Sequence, residues 1–156
     1  MPVRVLFVCL GNICRSPAAE AVFARDVAAA GLSGAFDIES AGTGSWHVGD
    51  LPDPRMREAA ARRGIAMTSR ARQIAPADFT RFHHILAMDA ANLDVLMSRA
   101  PRDQQHKIRL FREFDPDAPG EDTPDPYYGG PDGFDAVLDI VERTSANLLR
   151  MLGPDA

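Results

Sequence analysis

Val3-Arg4-Val5-Leu6-Phe7-Val8 is a nearly continuous apolar run, the pattern of a strand buried on both faces of a parallel sheet, and it stops abruptly at Cys9. Cys9-Leu10-Gly11-Asn12-Ile13-Cys14-Arg15-Ser16 follows and leads directly into a helix-forming stretch opened by Pro17. A strand, a tight loop and a helix N-terminus thus succeed one another, with a thiol at one end of the loop and a guanidinium at the other. A loop wrapped at the mouth of a helix turns backbone N–H groups inward, and the helix dipole adds partial positive charge, so the cradle suits an anion such as phosphate. The same surroundings stabilise a thiolate. With Arg15 close by, Cys9 is expected to act as a nucleophile at neutral pH.

The rest of the chain alternates in the same way. The first helix carries Ala18, Ala19, Ala21, Val22, Phe23, Val27 and Ala28 and stops at Gly31, completing half of a βαβ unit. Phe36 to Ala41 alternates apolar with polar and reads as a second, less buried strand, followed by the flexible loop Gly42-Thr43-Gly44-Ser45-Trp46. Asp53-Pro54 is an N-cap followed by proline, predicting a helix to Gly64. His83 to Met88 predicts a third strand, closed by Asp89 as the N-cap of a helix through Met97, and Lys107 to Phe111 a fourth. Glu113 to Pro131 is rich in Asp, Pro and Gly and too long for a simple connector, a property common among functional loops. Phe134 to Leu152 predicts a final amphipathic helix.

The expected fold class is therefore α/β: a three-layer sandwich with a short four-stranded parallel sheet flanked by helices and a phosphate-binding loop after strand 1. Residues 1–156 are expected to form a single domain, within the usual range of about 100–200 residues. Ligands of open α/β sheets bind at the carboxyl ends of the strands, where Cys9, the Ser40 to Trp46 loop and Asp89 all fall.

No apolar stretch approaches the roughly 20 residues needed to span a bilayer, and the N-terminal apolar run ends in the loop rather than at a cleavage site. No membrane association and a cytoplasmic location are expected. The net charge of −5 argues against nucleic acid as a general partner. Arg62-Arg63 and Arg70-Ala71-Arg72 are short and read as solvated helix ends and loops. The 2 cysteines both lie in the loop, which excludes a disulfide framework and fits a reducing compartment. His47, His83, His84 and His106 are scattered without metal-ligand spacing, so no metal is expected.

A thiol and an arginine in a Cys-x5-Arg arrangement suit a loop that wraps phosphate: the sulfur attacks phosphorus from the base while the guanidinium grips two equatorial oxygens. Taken alone the match is common. Here the strand before it, the internal glycine and the Ser-Pro helix start after it favour the functional reading over a buried cysteine beside a surface arginine.

Cys9 to Pro17, together with Asp125-Pro126-Tyr127-Tyr128-Gly129, resembles the low-molecular-weight protein tyrosine phosphatase family. Ser40-Ala41-Gly42-Thr43, Trp46-His47-Val48-Gly49, Ala71-Arg72-Gln73 and Met88-Asp89 match family blocks in order, so the resemblance spans nearly the whole chain. It implies a metal-independent, cofactor-free enzyme that hydrolyses phosphotyrosine in protein substrates through a Cys9 phosphoenzyme, releases inorganic phosphate, and acts as a monomer or weak dimer. Cys9, Arg15 and Asp125 match the catalytic residues. From the residues alone Asp125 reads equally as the start of an Asp-Pro turn; the resemblance makes it the general acid and, in the second step, the base.

Ser16 has an ordinary use as a helix cap, and the resemblance adds a hydrogen bond to the nucleophilic sulfur. Asn12 and Ser40 match polar residues that hold the loop in its strained shape, and Asn tolerates left-handed dihedrals. Leu10, Trp46, Tyr127 and Tyr128 resemble a pocket lining that sandwiches a phenyl ring, although aromatics of this kind are often core. The loop residues Gly11, Asn12, Ile13, Cys14 and Ser16 complete the binding surface. By resemblance Cys14 is also a resolving thiol that forms a reversible disulfide with Cys9; by itself it reads as a small buried apolar residue. One departure stands out: many family members carry histidine where this chain has Ser69, which has shorter reach and no charge. An arsenate reductase on the same fold would need further cysteines for its disulfide relay, and a silent phosphate-binding module would not need both Cys9 and Asp125.

Overall fold

The computed structural model describes residues 1–127, 129–130 and 132–154. Strand β1 (Val3–Cys9) is followed by helix α1 (Arg15–Ala29), β2 (Phe36–Gly42), α2 (Pro54–Ala61), α3 (Pro76–Arg81), β3 (His84–Ala87), α4 (Ala90–Arg99), β4 (Ile108–Leu110) and α5 (Asp132–Leu152). Short 3₁₀ turns cover Ser33–Ala35, Arg102–Lys107 and Phe111–Phe114. The four strands are all parallel, in the order β2-β1-β3-β4, so β1 lies inside the sheet and is covered on both faces.

The period-2 alternation of β1 divides the core into two. Val5, Phe7 and Cys9 point to one face, where they join Val22 and Phe23 of α1 and Val137, Leu138 and Val141 of α5. Leu6 and Val8 point to the other, against Phe79, Phe82 and Leu96 on the α3–α4 side. Phe7 meets Phe23 and Phe111 edge to face, at centroid distances of 5.8 and 5.5 Å. Three layers result, as expected, and the sulfur-bearing residue ends the central strand where it enters the loop.

The differences from the expected elements have local causes. Helix α1 begins at Arg15 rather than Pro17, with Cys14 as N-cap and no side-chain cap bond. Pro17 is tolerated there because the first turn of a helix leaves its N–H groups without intrahelical partners. Ser16 is therefore not the cap, and its hydroxyl is free for other bonds. Helix α2 ends at Ala61, short of Gly64, although its start is as expected: Asp53 Oδ1 accepts from the Arg55 N–H at 2.8 Å.

Helix α3 was not foreseen. Its six residues are too few to show a helical period, but Ala75-Pro76-Ala77-Asp78 carries a start signal, since the Asp78 carboxylate accepts from the Ala75 N–H at 2.7 Å. Not all of the arginine runs are solvated. Arg63 pairs with Asp139 and Glu142 of α5 at 2.9 and 3.0 Å, and half-buried Arg72 pairs with Asp78 and Glu39 at 2.9 and 3.2 Å. Arg62 and Arg70 do stay at the surface. Among the described residues, no helix is long and apolar enough to cross a membrane.

Candidate active site

At the carboxyl end of β1 the chain turns through residues 9–15 with four of its carbonyls bonded to surrounding segments. Cys9 O accepts from Thr43 N at 2.9 Å, Leu10 O from Gly44 N at 2.9 Å, Ile13 O from Asp53 N at 2.8 Å and Cys14 O from Ala18 N at 3.1 Å. A trans peptide carries its C=O and N–H on opposite sides, so the N–H groups of Leu10, Gly11, Cys14 and Arg15 turn inward. They form an anion nest. The adjoining chain lies close: a Cβ on Gly42 would fall 2.8 Å from the Leu10 carbonyl oxygen, which only glycine avoids.

Asn12 braces the turn. Its φ of 57° is in the left-handed region that Asn tolerates better than most residues. Its amide nitrogen donates to Ser16 Oγ at 2.8 Å and Ser40 Oγ at 2.9 Å, while its Oδ1 accepts from Arg72 N at 3.0 Å. Both amide protons are thereby used, which leaves the Ser16 hydroxyl proton for another acceptor. Cys9 Sγ is 3.0 Å from Ser16 Oγ, and the Ala41 carbonyl is 3.4 Å away. The Ser40 hydroxyl donates onward to Glu20.

Ser69 also bonds Glu20. Burial raises the pKa of this carboxyl, and the two serine bonds offset part of the rise. The position expected to support the loop thus reaches it through an acid on α1.

Arg15 is buried, with 3% of its surface exposed. It donates from Nη1 to Asp89 Oδ2 at 2.6 Å and to the Thr123 carbonyl at 3.1 Å, and Nη2 lies 3.7 Å from Asp125 Oδ2. Burial works against the guanidinium charge, but Cys9, Asp89 and Asp125 outweigh it and raise the pKa. The fork is therefore fixed by Asp89 on one side and open toward the cavity on the other. Asp89 has a second duty: its Oδ1 caps α4 by accepting from Asn92 N at 2.7 Å.

The cavity above the nest has a volume of about 280 Å³. Cys9, Leu10, Gly11, Ile13, Cys14 and Arg15 form its base, Trp46 and Tyr127 stand at its sides, and Asp125 reaches in from the long loop. Leu10, Trp46 and Tyr127 are exposed rather than core. Asn12 and Ser16, expected in the binding surface, are instead buried behind the base with Ser40 because their side chains bond one another, and Tyr128 falls outside the described residues. Cys9 and Cys14 are both free and buried. Burial, with Asp53 and Cys9 nearby, pushes the Cys14 thiol far up, which keeps it protonated. Among the described residues no cluster of His, Cys, Asp and Glu could hold a metal ion.

The family profile described as low molecular weight phosphotyrosine protein phosphatase matches residues 4–156. The chain belongs to this family. It is 46% identical over 152 residues to the low molecular weight phosphotyrosine protein phosphatase of Schizosaccharomyces pombe, covering 96% of this chain and 97% of that one. It is 47% identical over 152 residues to the low molecular weight protein-tyrosine-phosphatase of Streptomyces coelicolor, covering 96% and 93%. The crystal structure of a protein tyrosine phosphatase from Entamoeba histolytica, with Hepes in the active site, superposes with a TM-score of 0.93 at 42% identity, covering 96% of each chain.

Within this phosphatase fold four residues near the cavity had not been singled out for the site. Asp89 was read as a cap at the ligand-binding end of β3 and given no role toward Arg15. His47 was set aside with the other histidines, yet it lines the cavity beside Gly11. Glu20 and Arg55 gave no signal at all, because their importance comes from contacts with distant segments.

Proposed function

We propose that this phosphatase-family chain hydrolyses phosphotyrosine in protein substrates, and aryl phosphates generally, by way of a phosphocysteine on Cys9. The observation that carries the reading is the convergence of the Cys9 sulfur, the Arg15 guanidinium and the Asp125 carboxylate on one cavity whose base is lined with inward N–H groups. The phosphate dianion sits in the nest with two oxygens on the open side of Arg15. Cys9 Sγ attacks phosphorus from below as the phosphorus–oxygen bond to the phenol breaks, and Asp125 gives its proton to the departing phenolic oxygen. Charge building on the equatorial oxygens is met by donors already in place.

In the second step water attacks the phosphocysteine, Asp125 takes the water proton, and the sulfur leaves as thiolate with the Ser16 hydroxyl donating to it. Inorganic phosphate departs. Leu10, Trp46 and Tyr127 offer apolar walls against which a phenyl ring can pack above the nest, which favours phosphotyrosine over the shorter phosphoserine. No step calls for a metal or cofactor. Residues 1–156 work as one unit, as a monomer or weak dimer, and a reducing cytoplasm suits the free thiol.

Cys14 suits the part of a resolving thiol. Peroxide converts the Cys9 thiolate to a sulfenic acid, and attack by Cys14 then expels water and forms the disulfide. Consuming the Cys9 charge removes one of the influences that keep Cys14 protonated.

Purified protein without added metal is expected to release p-nitrophenol from its phosphate and to favour a phosphotyrosyl over a matched phosphoseryl peptide by at least about tenfold in kcat/KM. No turnover, with arsenate-dependent thiol oxidation instead, overturns the reading.

A further inference from the structure

Beyond Thr123 the Asp125 carboxylate meets the cradle directly only at Arg15 Nη2, 3.7 Å away, among the described residues, yet the proposed reaction needs it placed to within a fraction of an ångström. Upstream, Thr123 N donates to the Met88 carbonyl at 2.7 Å and the Thr123 carbonyl accepts from Arg15. Downstream, the backbone bonds of Gly129 and Gly133 go to Pro126 and Gly130 and close only local turns. A second non-local contact crosses from the cradle side. The Arg55 guanidinium lies over the Tyr127 ring at 5.2 Å from its centroid and over Phe134 of α5 at 4.8 Å.

Arg55 is itself aimed by a rigid partner. Asp53 is buried, takes Arg55 Nε at 3.0 Å and Nη2 at 2.8 Å in a two-point grip, and donates its own N–H to the Ile13 carbonyl of the cradle. At the other end, the Tyr127 N–H donates to Asp125 Oδ1 at 3.0 Å. An unbroken run of contacts therefore leads from the cradle backbone through Asp53, Arg55 and Tyr127 to the carboxylate. Planarity is what makes the run possible: a guanidinium can lay its face on a ring while its edge bonds a carboxylate, which an ammonium cannot do.

We propose that Arg55 is a positioning residue that ties the Tyr127 wall and the Asp125 carboxylate to the phosphate cradle. The inference rests on Asp125 being the general acid. Arg55 touches none of the reacting atoms. Its loss should matter where the leaving group needs a proton and little where it does not. Its side chain is half exposed, so replacement opens no hole in the core.

The test compares kcat/KM for phenyl phosphate, a poor leaving group, with that for p-nitrophenyl phosphate, a good one. Arg55→Met is expected to lower the first about tenfold and the second less than about threefold, with Tm near that of the unaltered protein. Arg55→Lys, which keeps the charge without the fork, should fall between. Asp125→Asn should steepen the same dependence, and Arg55→Met added to Asp125→Asn should change it no further.

If Arg55→Met lowers both substrates equally, or adds fully to Asp125→Asn, the positioning role is overturned and Arg55 acts on substrate or cradle directly. If Asp125→Asn leaves the dependence unaltered, the acid assignment falls, and this inference with it.

Discussion

Residues 9–16 and residues 113–127 meet at one cavity, yet among the described residues the first segment is held closely along its length and the second most firmly near its root. Cys9, Arg15 and Ser16 are almost entirely buried, and the carbonyls of Cys9, Leu10, Ile13 and Cys14 and both side-chain polar atoms of Asn12 have partners. Asp125 keeps 39% of its side-chain surface exposed. The loop that carries it is anchored through Arg112, which takes the Gly120 N–H, bonds the Asp122 carbonyl at 2.7 Å and pairs with Asp115 at 2.9 Å. An anion site gains from being preformed, because no reorganisation is then needed when charge develops. A segment that admits substrate and releases phosphate gains from being loosely attached.

Four substitutions would break or sharpen this contrast. The largest effect is expected from Cys9→Ser, which should lower kcat by at least about 10⁴-fold while phosphate binding, read by titration calorimetry, survives. Loss of both would mean that the sulfur helps to shape the cradle as well as to react in it. Asp125→Asn should cost about 10³-fold in kcat with phosphate affinity little altered, since the nest is complete without it. Equal damage to affinity would show that the two segments are not separable.

Asp115→Asn attacks the root of the loop. The carboxylate is fully buried and is held well below the usual range by Arg143, at 2.8 Å, against the cost of burial, and by Arg112. Its pKa is lower folded than unfolded, so its stabilising contribution is complete above about pH 4 and drains away as pH falls through the folded value. The substitution should cost about 3 kcal/mol at neutral pH and flatten the acid limb of a stability–pH curve. A parallel displacement of the curve, with its slope unaltered, would remove Asp115 from the acid response.

Asn12→Ala is expected to cost about 2 kcal/mol, read as a lowered Tm, because it puts alanine at positive φ and strips partners from Ser16, Ser40 and Arg72. Retained stability with lost activity would make the bracing chemical rather than structural.

How far each segment could be read from the sequence follows the same divide. Strand β1, the cradle and the start of α1 are contiguous, and their signals are local: an apolar run, glycine, a thiol, a guanidinium and a proline within seventeen residues. The Asp125 loop was legible as a long Asp- and Pro-rich connector, but its direction of approach was not. Asp89 was placed correctly at the end of β3, and one of its oxygens caps α4 as expected; the other, which grips Arg15, depends on packing between elements 74 residues apart. Helix α3 escaped because six residues cannot display a helical period. Arg72 escaped because an arginine run looks alike whether it meets water or Asp78 and Glu39. Ser69 has a shorter reach than the histidine of many family members, and the Glu20 carboxyl that takes the Ser40 hydroxyl is near enough to feel Ser69.

The outward turn of the cradle carbonyls has a further consequence for how such a protein can change over generations. Donors supplied by the main chain belong to no particular side chain, so replacing Leu10, whose side chain is half exposed at the cavity, leaves the inward N–H groups where they were unless the newcomer is proline. Selectivity at the rim can therefore drift and be reselected while the grip on the anion is inherited intact.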